Sequence, residues 1–420
     1  MKKRLISAVL TAAMVAVPFA ACAEAEKEET EAEKEETVVL EMYEMKGYLK
    51  DVYLEIVDEF CKEHPNVKVE YTSPDDSETV FFTRVSSNDI PDIMSIYPAE
   101  YTYQACMRDG VYADLTGKEF LNNVEERALE FSKCNADGKS YAVPMMYNAM
   151  GIYCNKTLFE EAGLELPTTW DELISCLETF KTNGYESPLF FCTSDGFDQF
   201  AERLIGIINP NFCDVSEAVG NGEGSFTDAD KPEVKQVAEA ILQLAEYGPV
   251  DIIGADSEQG LTDFAMGNYP MAIGGTWKNN RIVATNPDLD VTMIPIPNPV
   301  SDEQRVPINV DVAWAYSATT EHPEECEALL EYMSRPENVQ KIADVESAAT
   351  CVKGVDDTKS ILKDINEACR GENTFLTLVN FWPSGWRSEW KIYLQQLLDD
   401  GNIDALLAET DRISVDCYNK

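Results

Sequence analysis

Two histidines, twelve cysteines and 76 carboxylates are the residues of this 420-residue chain from which reactive centres are most often built. Their spacing argues against the common ones. His64 and His322 each precede a proline at a helix end, and neither G-x-S-x-G nor H-E-x-x-H occurs, so no nucleophile elbow and no zinc-protease helix is encoded. No two cysteines stand in C-x-x-C spacing; the closest, Cys176 and Cys192, are sixteen residues apart, which removes a zinc ribbon and a thioredoxin-like motif. With so many carboxylates, some pair always falls at glycosidase separation, so an acid pair carries no specificity here. "GNGEGS" (220–225) has neither a preceding strand nor the lysine of a P-loop. The expectation is a chain with no catalytic residue, no metal and no cofactor. An extracytoplasmic glycan hydrolase and a surface adhesin are the rival readings.

The elements that would position a binding site come from the rest of the chain. Hydrophobic residues make up 45% and charged residues 26%, a composition that folds, and the length suits two or three lobes. The net charge of −43 repels phosphate backbones and anionic headgroups, so nucleic acid is excluded as a partner. The acidity itself reads as a solvated surface. Residues 1–21 carry the basic "MKKR" and an apolar run of signal-peptide form. "FAAC" (19–22) resembles a bacterial lipobox, with Phe19 where an aliphatic residue is usual, and this marks Cys22 for lipidation. Residues 22–37 follow as an acidic tether of Ala, Glu, Lys and Thr without core-forming side chains. Eleven cysteines then remain, an odd number that leaves at least one thiol unpaired.

The body opens with strand-like "VVLEMYEM" (38–45), a helix carrying Val52, Ile56, Val57 and Phe60, the strand "VKVEYTS" (67–73), a polar helix, and "PDIMSIY" (91–97). This order is that of a parallel α/β sheet. Pro144 disfavours a central strand in 137–148. Residues 149–290 repeat the alternation and predict a second lobe. Extended, proline-punctuated segments near 143 and 295 predict crossings between lobes.

The segment "DGKSYAVPMMYNAMGIYCNKTLFEEAGLELPTTWDELISCLETFK" resembles the central signature of the extracellular solute-binding proteins of ABC importers, in the carbohydrate-binding, maltose-binding-protein-like family. "NDIPDIMSI", "FAMGNYPMAIGGTW", "IPIPNP" and "HPEECEALLEYMSRPENVQKIAD" match further family patterns in order. The resemblance implies an α/β, two-lobed, periplasmic-binding-protein-like fold of type II, with discontinuous lobes joined by hinge strands. Lobe 1 is expected at 38–142 and 298–334, lobe 2 at 143–297 with crossings near 143–148 and 291–297, and C-terminal helices at 335–420 complete the cleft and pack on both lobes. It further implies a monomeric receptor that captures a carbohydrate, of oligosaccharide type, and delivers it to ABC permease subunits. The place is the extracytoplasmic face of the membrane of a single-membrane bacterium. A polyol phosphate or peptide is the alternative ligand. Asn155, Lys156, Gly163 and Trp170 within the signature are expected to serve folding.

By match to the family pattern, the expected ligand contacts are Tyr43, Glu44, Tyr97, Tyr147, Asn148, Trp277, Asn309 and Asp311, at strand ends and crossings. Sugars offer apolar C–H faces and rings of hydroxyls, which call for flat aromatics and short polar groups. Phe191 in "PLFFCTSDGF" is added as a stacking candidate. Trp382, Trp386 and Trp390 fall four apart in "FWPSGWRSEW" and read either as a buried stripe or, for Trp382 and Trp386, as a cleft wall; Arg387 beside them could anchor a hydroxyl or carboxylate.

Overall fold

Alternating apolar residues in short runs, each followed by an amphipathic helix, build two sheets rather than one. The computed structural model describes residues 37–357 and 360–419; the signal, Cys22 and nearly all of the tether lie outside them. In chain order the strands are β1 (Val38–Tyr43), β2 (Val67–Thr72), β3 (Ile93–Ile96), β4 (Val143–Pro144), β5 (Tyr147–Asn155) and β6 (Leu189–Phe190). They continue with β7 (Met271–Gly275), β8 (Val291–Pro295), β9 (Val306–Val310), β10 (Ala313–Tyr316) and β11 (Thr374–Leu376). The first sheet has the order β2-β1-β3-β10-β4 and the second β11-β9-β5-β7-β6, with β8 also paired to β5.

Strands β1, β2 and β3 are parallel, as their intervening helices require. Strand β10 enters antiparallel to β3, and β4 pairs with its outer side. Pro144 therefore sits at the sheet edge, where its missing N–H leaves no central ladder bond unmade. Strand β5 spans both kinds of neighbour. Tyr147–Ala149 pairs with β9, and Met150–Asn155 is flanked by β7 and β8.

The return crossing lies later than the proline run suggested. Val291–Pro295 is β8, wholly inside the second sheet, so "IPIPNP" marks the end of a strand. The chain passes between sheets at β9, Asp311, Val312 and β10. There Asp311 N–H donates to the Met146 carbonyl at 2.9 Å, and Met145 N–H donates to Val312 at 2.8 Å. Two antiparallel connections, hydrogen-bonded to each other, join the sheets.

The signature residues act locally as expected. Asn155 accepts a bond from Leu158 N–H at the start of helix Lys156–Ala162, and Gly163 ends it at φ 66°, a left-handed conformation that costs glycine little. Thr169 and Glu172 form a reciprocal capping box. Trp170 is buried, with its indole N–H on Gln243 at 2.8 Å.

The C-terminal helices do not form a separate layer. Helix Pro336–Glu346 packs against helices Lys50–Glu63 and Pro323–Met333, whereas helices Trp386–Asp400 and Ile403–Tyr418 pack on helices around the second sheet. The tryptophan stripe is core: Trp382, Trp386 and Trp390 are 3%, 0% and 0% exposed. Trp382 and Trp386 stack with centroids 4.0 Å apart, and Trp386 and Trp390 donate to Ser414 and Thr410. Four-residue spacing places Trp386 and Trp390 on one helix face, Trp382 packs on them from the segment before the helix, and Phe212 closes the cluster. No described helix is long and apolar enough to cross a membrane.

Removing an indole from this cluster should leave a cavity with no side chain free to fill it. Trp386→Ala is expected to destabilise the protein by about 3–5 kcal/mol in urea unfolding, and a loss below about 1 kcal/mol would contradict a packing role.

Candidate ligand-binding site

The carboxyl ends of β1 and β3, the paired crossings and the first turns of helix Phe197–Ile208 converge on one cavity of about 350 Å³. This is where open α/β sheets present ligand-facing groups, because strand ends and helix starts leave backbone and short side chains pointing into the same space. Its lining brings together Tyr97, Asn148, Trp277, Asn309, Asp311 and Arg387 from among the expected residues.

Register explains which neighbours reach it. Asn148 stands opposite Asn309 across β5 and β9, so the crossing presents two amides side by side. Side chains alternate along a strand, and Tyr147 consequently points away: it is 1% exposed and its hydroxyl faces Glu125. The same alternation removes Tyr43, whose ring packs on Phe81 and whose hydroxyl donates to Ser77 at 2.7 Å. Phe191 belongs to the second-sheet core, against Phe197 and Phe200, and lines a separate cavity of only about 30 Å³ that Trp277 also borders. Trp382 and Trp386 are held in the cluster described above. Glu44 is fully buried behind the cleft.

Seven lining residues fall outside the sequence expectation: Lys46, Tyr48, Glu78, Glu100, Gln199, Arg203 and Val379. Lys46, Tyr48 and Glu100 lie a few residues beyond strand ends already singled out. Gln199 and Arg203 lie in "FDQFAERLIGII", where polar and charged residues interrupt an apolar helix, a signal that could have marked them. Glu78 and Val379 had no comparable mark.

Lys46 is the buried cation of the floor. Its ammonium pairs with Asp311, and with Glu346 at 3.3 Å. Burial alone would lower its pKa, but these two carboxylates hold it well above the ordinary lysine range. Glu44 accepts from Lys46 N–H at 2.8 Å through one oxygen, while the other has no partner among the described residues. Burial pushes its carboxyl up to about 8, against the smaller opposing pull of Lys46.

Opposite walls carry opposite charge. Glu78 and Glu100 stand on the side of the first sheet, Arg203 and Arg387 on helices of the second. Arg203 is 4% exposed, pairs with Glu202 at 3.3 Å, and leaves its Nε without a partner. Desolvation lowers its pKa despite Glu202. Arg387 pairs with Asp198 at 3.2 Å. Burial, then Glu78, raise Glu100 to about 7. Two further polar atoms facing the cleft, Asn148 Oδ1 and Gln199 Oε1, are buried and unsatisfied, a cost that a hydrogen-bonding ligand would relieve.

Trp277 lies over the backbone of Gly275. A Cβ at that glycine would fall 2.2 Å from the indole, although its φ of −93° is open to any residue. The glycine is thus required by the ring, not by the turn. Arg203 sits 5.9 Å from the ring centroid on the cleft side.

The family model of bacterial extracellular solute-binding proteins matches residues 46–340, from the buried lysine through both crossings. The chain belongs to that family. This solute-binding protein is 28% identical over 382 residues to the "Multiple sugar-binding protein" of Streptococcus mutans, covering 88% of each chain. It is similar to the apo-form of RafE from Streptococcus pneumoniae, with 27% identity, TM-score 0.76, and coverage of 91% of this chain and 98% of that one. RafE in complex with raffinose gives TM-score 0.75 at the same identity, covering 91% and 100%. The fold is the type II solute-binding class, and the family is extracellular.

Two substitutions test the geometry of this solute-binding protein. Gly275→Ala should cost about 1–3 kcal/mol by crowding and much less in a Trp277→Ala background; equal costs in both backgrounds would mean the indole is not what the glycine accommodates. For Glu44, a folded pKa raised from 4.5 to about 8 means that the folded protein retains a proton the unfolded chain gives up. The associated stability is full below pH 4.5, falls as pH rises and is lost above about 8. Glu44→Gln keeps the acceptor for Lys46 N–H and removes the titration, so its stability relative to wild type should rise by about 3–4 kcal/mol between pH 5 and pH 8 in urea melts.

Proposed function

We propose that this solute-binding protein captures a carbohydrate, of oligosaccharide type, in the cleft lined by Trp277, Tyr97 and the paired amides Asn148 and Asn309, and delivers it to the permease subunits of an ABC importer. The observation that carries the reading is the two-sign wall. A hydroxyl donates and accepts at once, so a ring of hydroxyls can meet Glu78 and Glu100 on one side and Arg203 and Arg387 on the other. The half-buried indole of Trp277 and ring of Tyr97 offer faces for C–H surfaces. The names of the relatives and the raffinose bound to RafE point the same way.

Binding, not turnover, is the proposed activity. The walls belong to different sheets, and a ligand touching both favours whichever arrangement brings them together. The hydrogen-bonded crossings are the elements about which such closure would occur. Cys22, in its lipobox context, would hold the receptor at the outer face of the membrane through a diacylglycerol anchor, with the acidic tether between anchor and body.

A thermal-shift panel of mono- and oligosaccharides, polyol phosphates and peptides is the direct test. At least one saccharide at a hundred times its Kd should stabilise the protein by about 2.7 kcal/mol, and Trp277→Ala should weaken that saccharide about 10- to 100-fold. Stabilisation by a peptide or phosphate with none by any saccharide would overturn the carbohydrate assignment, and release of shortened glycan would overturn the receptor role.

A further inference from the structure

The charges lining the cleft are not equivalent in their pairing. The lining cations already have carboxylate partners: Lys46 has Asp311 and Glu346, Arg203 has Glu202, and Arg387 shares Asp198 with Lys391. Glu78 and Glu100 have none: among the described residues no lysine, arginine or histidine lies within ion-pair distance of either. Glu78 and Glu100 are therefore the cleft carboxylates without an ion-pair partner, both on one wall, with Arg387 acting on them only from longer range.

Two partners of the lining cations add to this. Glu202 is 0% exposed and Glu346 1%, so their charges cannot be dissipated into solvent. A ligand carboxylate placed in the cleft would compete with Glu202 for Arg203 and with Asp198 for Arg387, and would face Glu78 and Glu100 as well. Like charges at such separations cost more inside a cleft than in water, because the surrounding protein screens them less. The unpartnered Arg203 Nε still needs an acceptor, which a neutral hydroxyl supplies without adding charge.

We propose that Glu78 and Glu100 make the cleft selective by charge: it takes neutral or amino-bearing saccharides, whose groups donate to this wall, and rejects saccharides bearing uronic acids. This rests on the carbohydrate reading above and adds a determinant to it. Glu100, three residues past Tyr97 at the end of β3, is the better placed of the two, because it is half-buried where Glu78 is exposed. Neither is an anchor of the fold, so replacing them should leave the protein folded.

The test uses a neutral saccharide found to bind, and the same saccharide with a primary alcohol oxidised to the carboxylate. Calorimetry on the full chain at about pH 8.5, above the value of about 7 to which Glu100 is raised, should show the oxidised form at least tenfold weaker, and the double variant Glu78→Gln, Glu100→Gln should narrow that ratio to within about threefold, with its urea midpoint unchanged. A companion ligand carrying one amine in place of a hydroxyl should bind wild type as well as the neutral form or better, and lose affinity in the double variant. Equal affinity for neutral and oxidised saccharides in wild type would overturn the proposal, as would a ratio that the double variant leaves intact. If no saccharide of any charge binds, the carbohydrate reading itself falls, an outcome distinct from loss of charge selectivity.

Discussion

A lysine that is buried must keep its charge compensated, and the region where the two sheets meet is arranged around that requirement. Lys46 follows β1, Asp311 lies between β9 and β10, and Glu346 ends helix Pro336–Glu346. Three segments far apart in sequence thus share one ammonium. Removing a single partner would strand a buried charge, which is far more damaging than losing a surface pair. The network also fixes where Asp311 can sit, and Asp311 N–H in turn holds Met146 of the other connection. The buried pair sets the position of the crossing, and the crossing sets the position of the amides that face the cleft.

The C-terminal segment enters the site through the same logic of satisfaction. Thr377 and Asn380 donate to Asn309 Oδ1 at 2.9 and 2.7 Å, so the amide is oriented with its NH2 left for the cleft. Glu202, beside Arg203, accepts from Val379 N–H at 3.2 Å. The segment that provides these contacts leads into Trp382, and the indole cluster packs it onto the second sheet's helices. The tryptophans therefore act on the site at one remove, by fixing the loop that aims Asn309 and by starting the helix that carries Arg387.

Fold and family were legible because they depend on local rules: capping at Asn155 and Thr169, the left-handed turn at Gly163, and the ordered motifs through both halves. The site was legible only in part, because membership of the cleft is decided by register. Asn148 and Tyr147 are adjacent in sequence and lie on opposite faces of one strand. Nothing in the local pattern around 147–148 says which faces the ligand until the pairing with Asn309 is known. The return crossing was misplaced for a related reason. Proline punctuation marks where pairing stops, and both the end of β8 and a crossing satisfy that description. Glu78, on an exposed helix turn, looks in sequence like any other surface acid among 76.

The family motif that ends in Gly275-Thr276-Trp277 shows how a recurring pattern can be a packing statement about a functional ring. The glycine does not supply an unusual backbone angle, since its φ of −93° is ordinary. It supplies the space in which the indole lies against β7, where the ring borders both the small cavity and the ligand cleft. A ring held that way loses little freedom when a ligand stacks on it, so more of the contact energy is available as affinity. A larger residue at 275 would either push the ring into the cleft or free it to rotate, and both would remove the surface that the strand ends and the paired amides are arranged around.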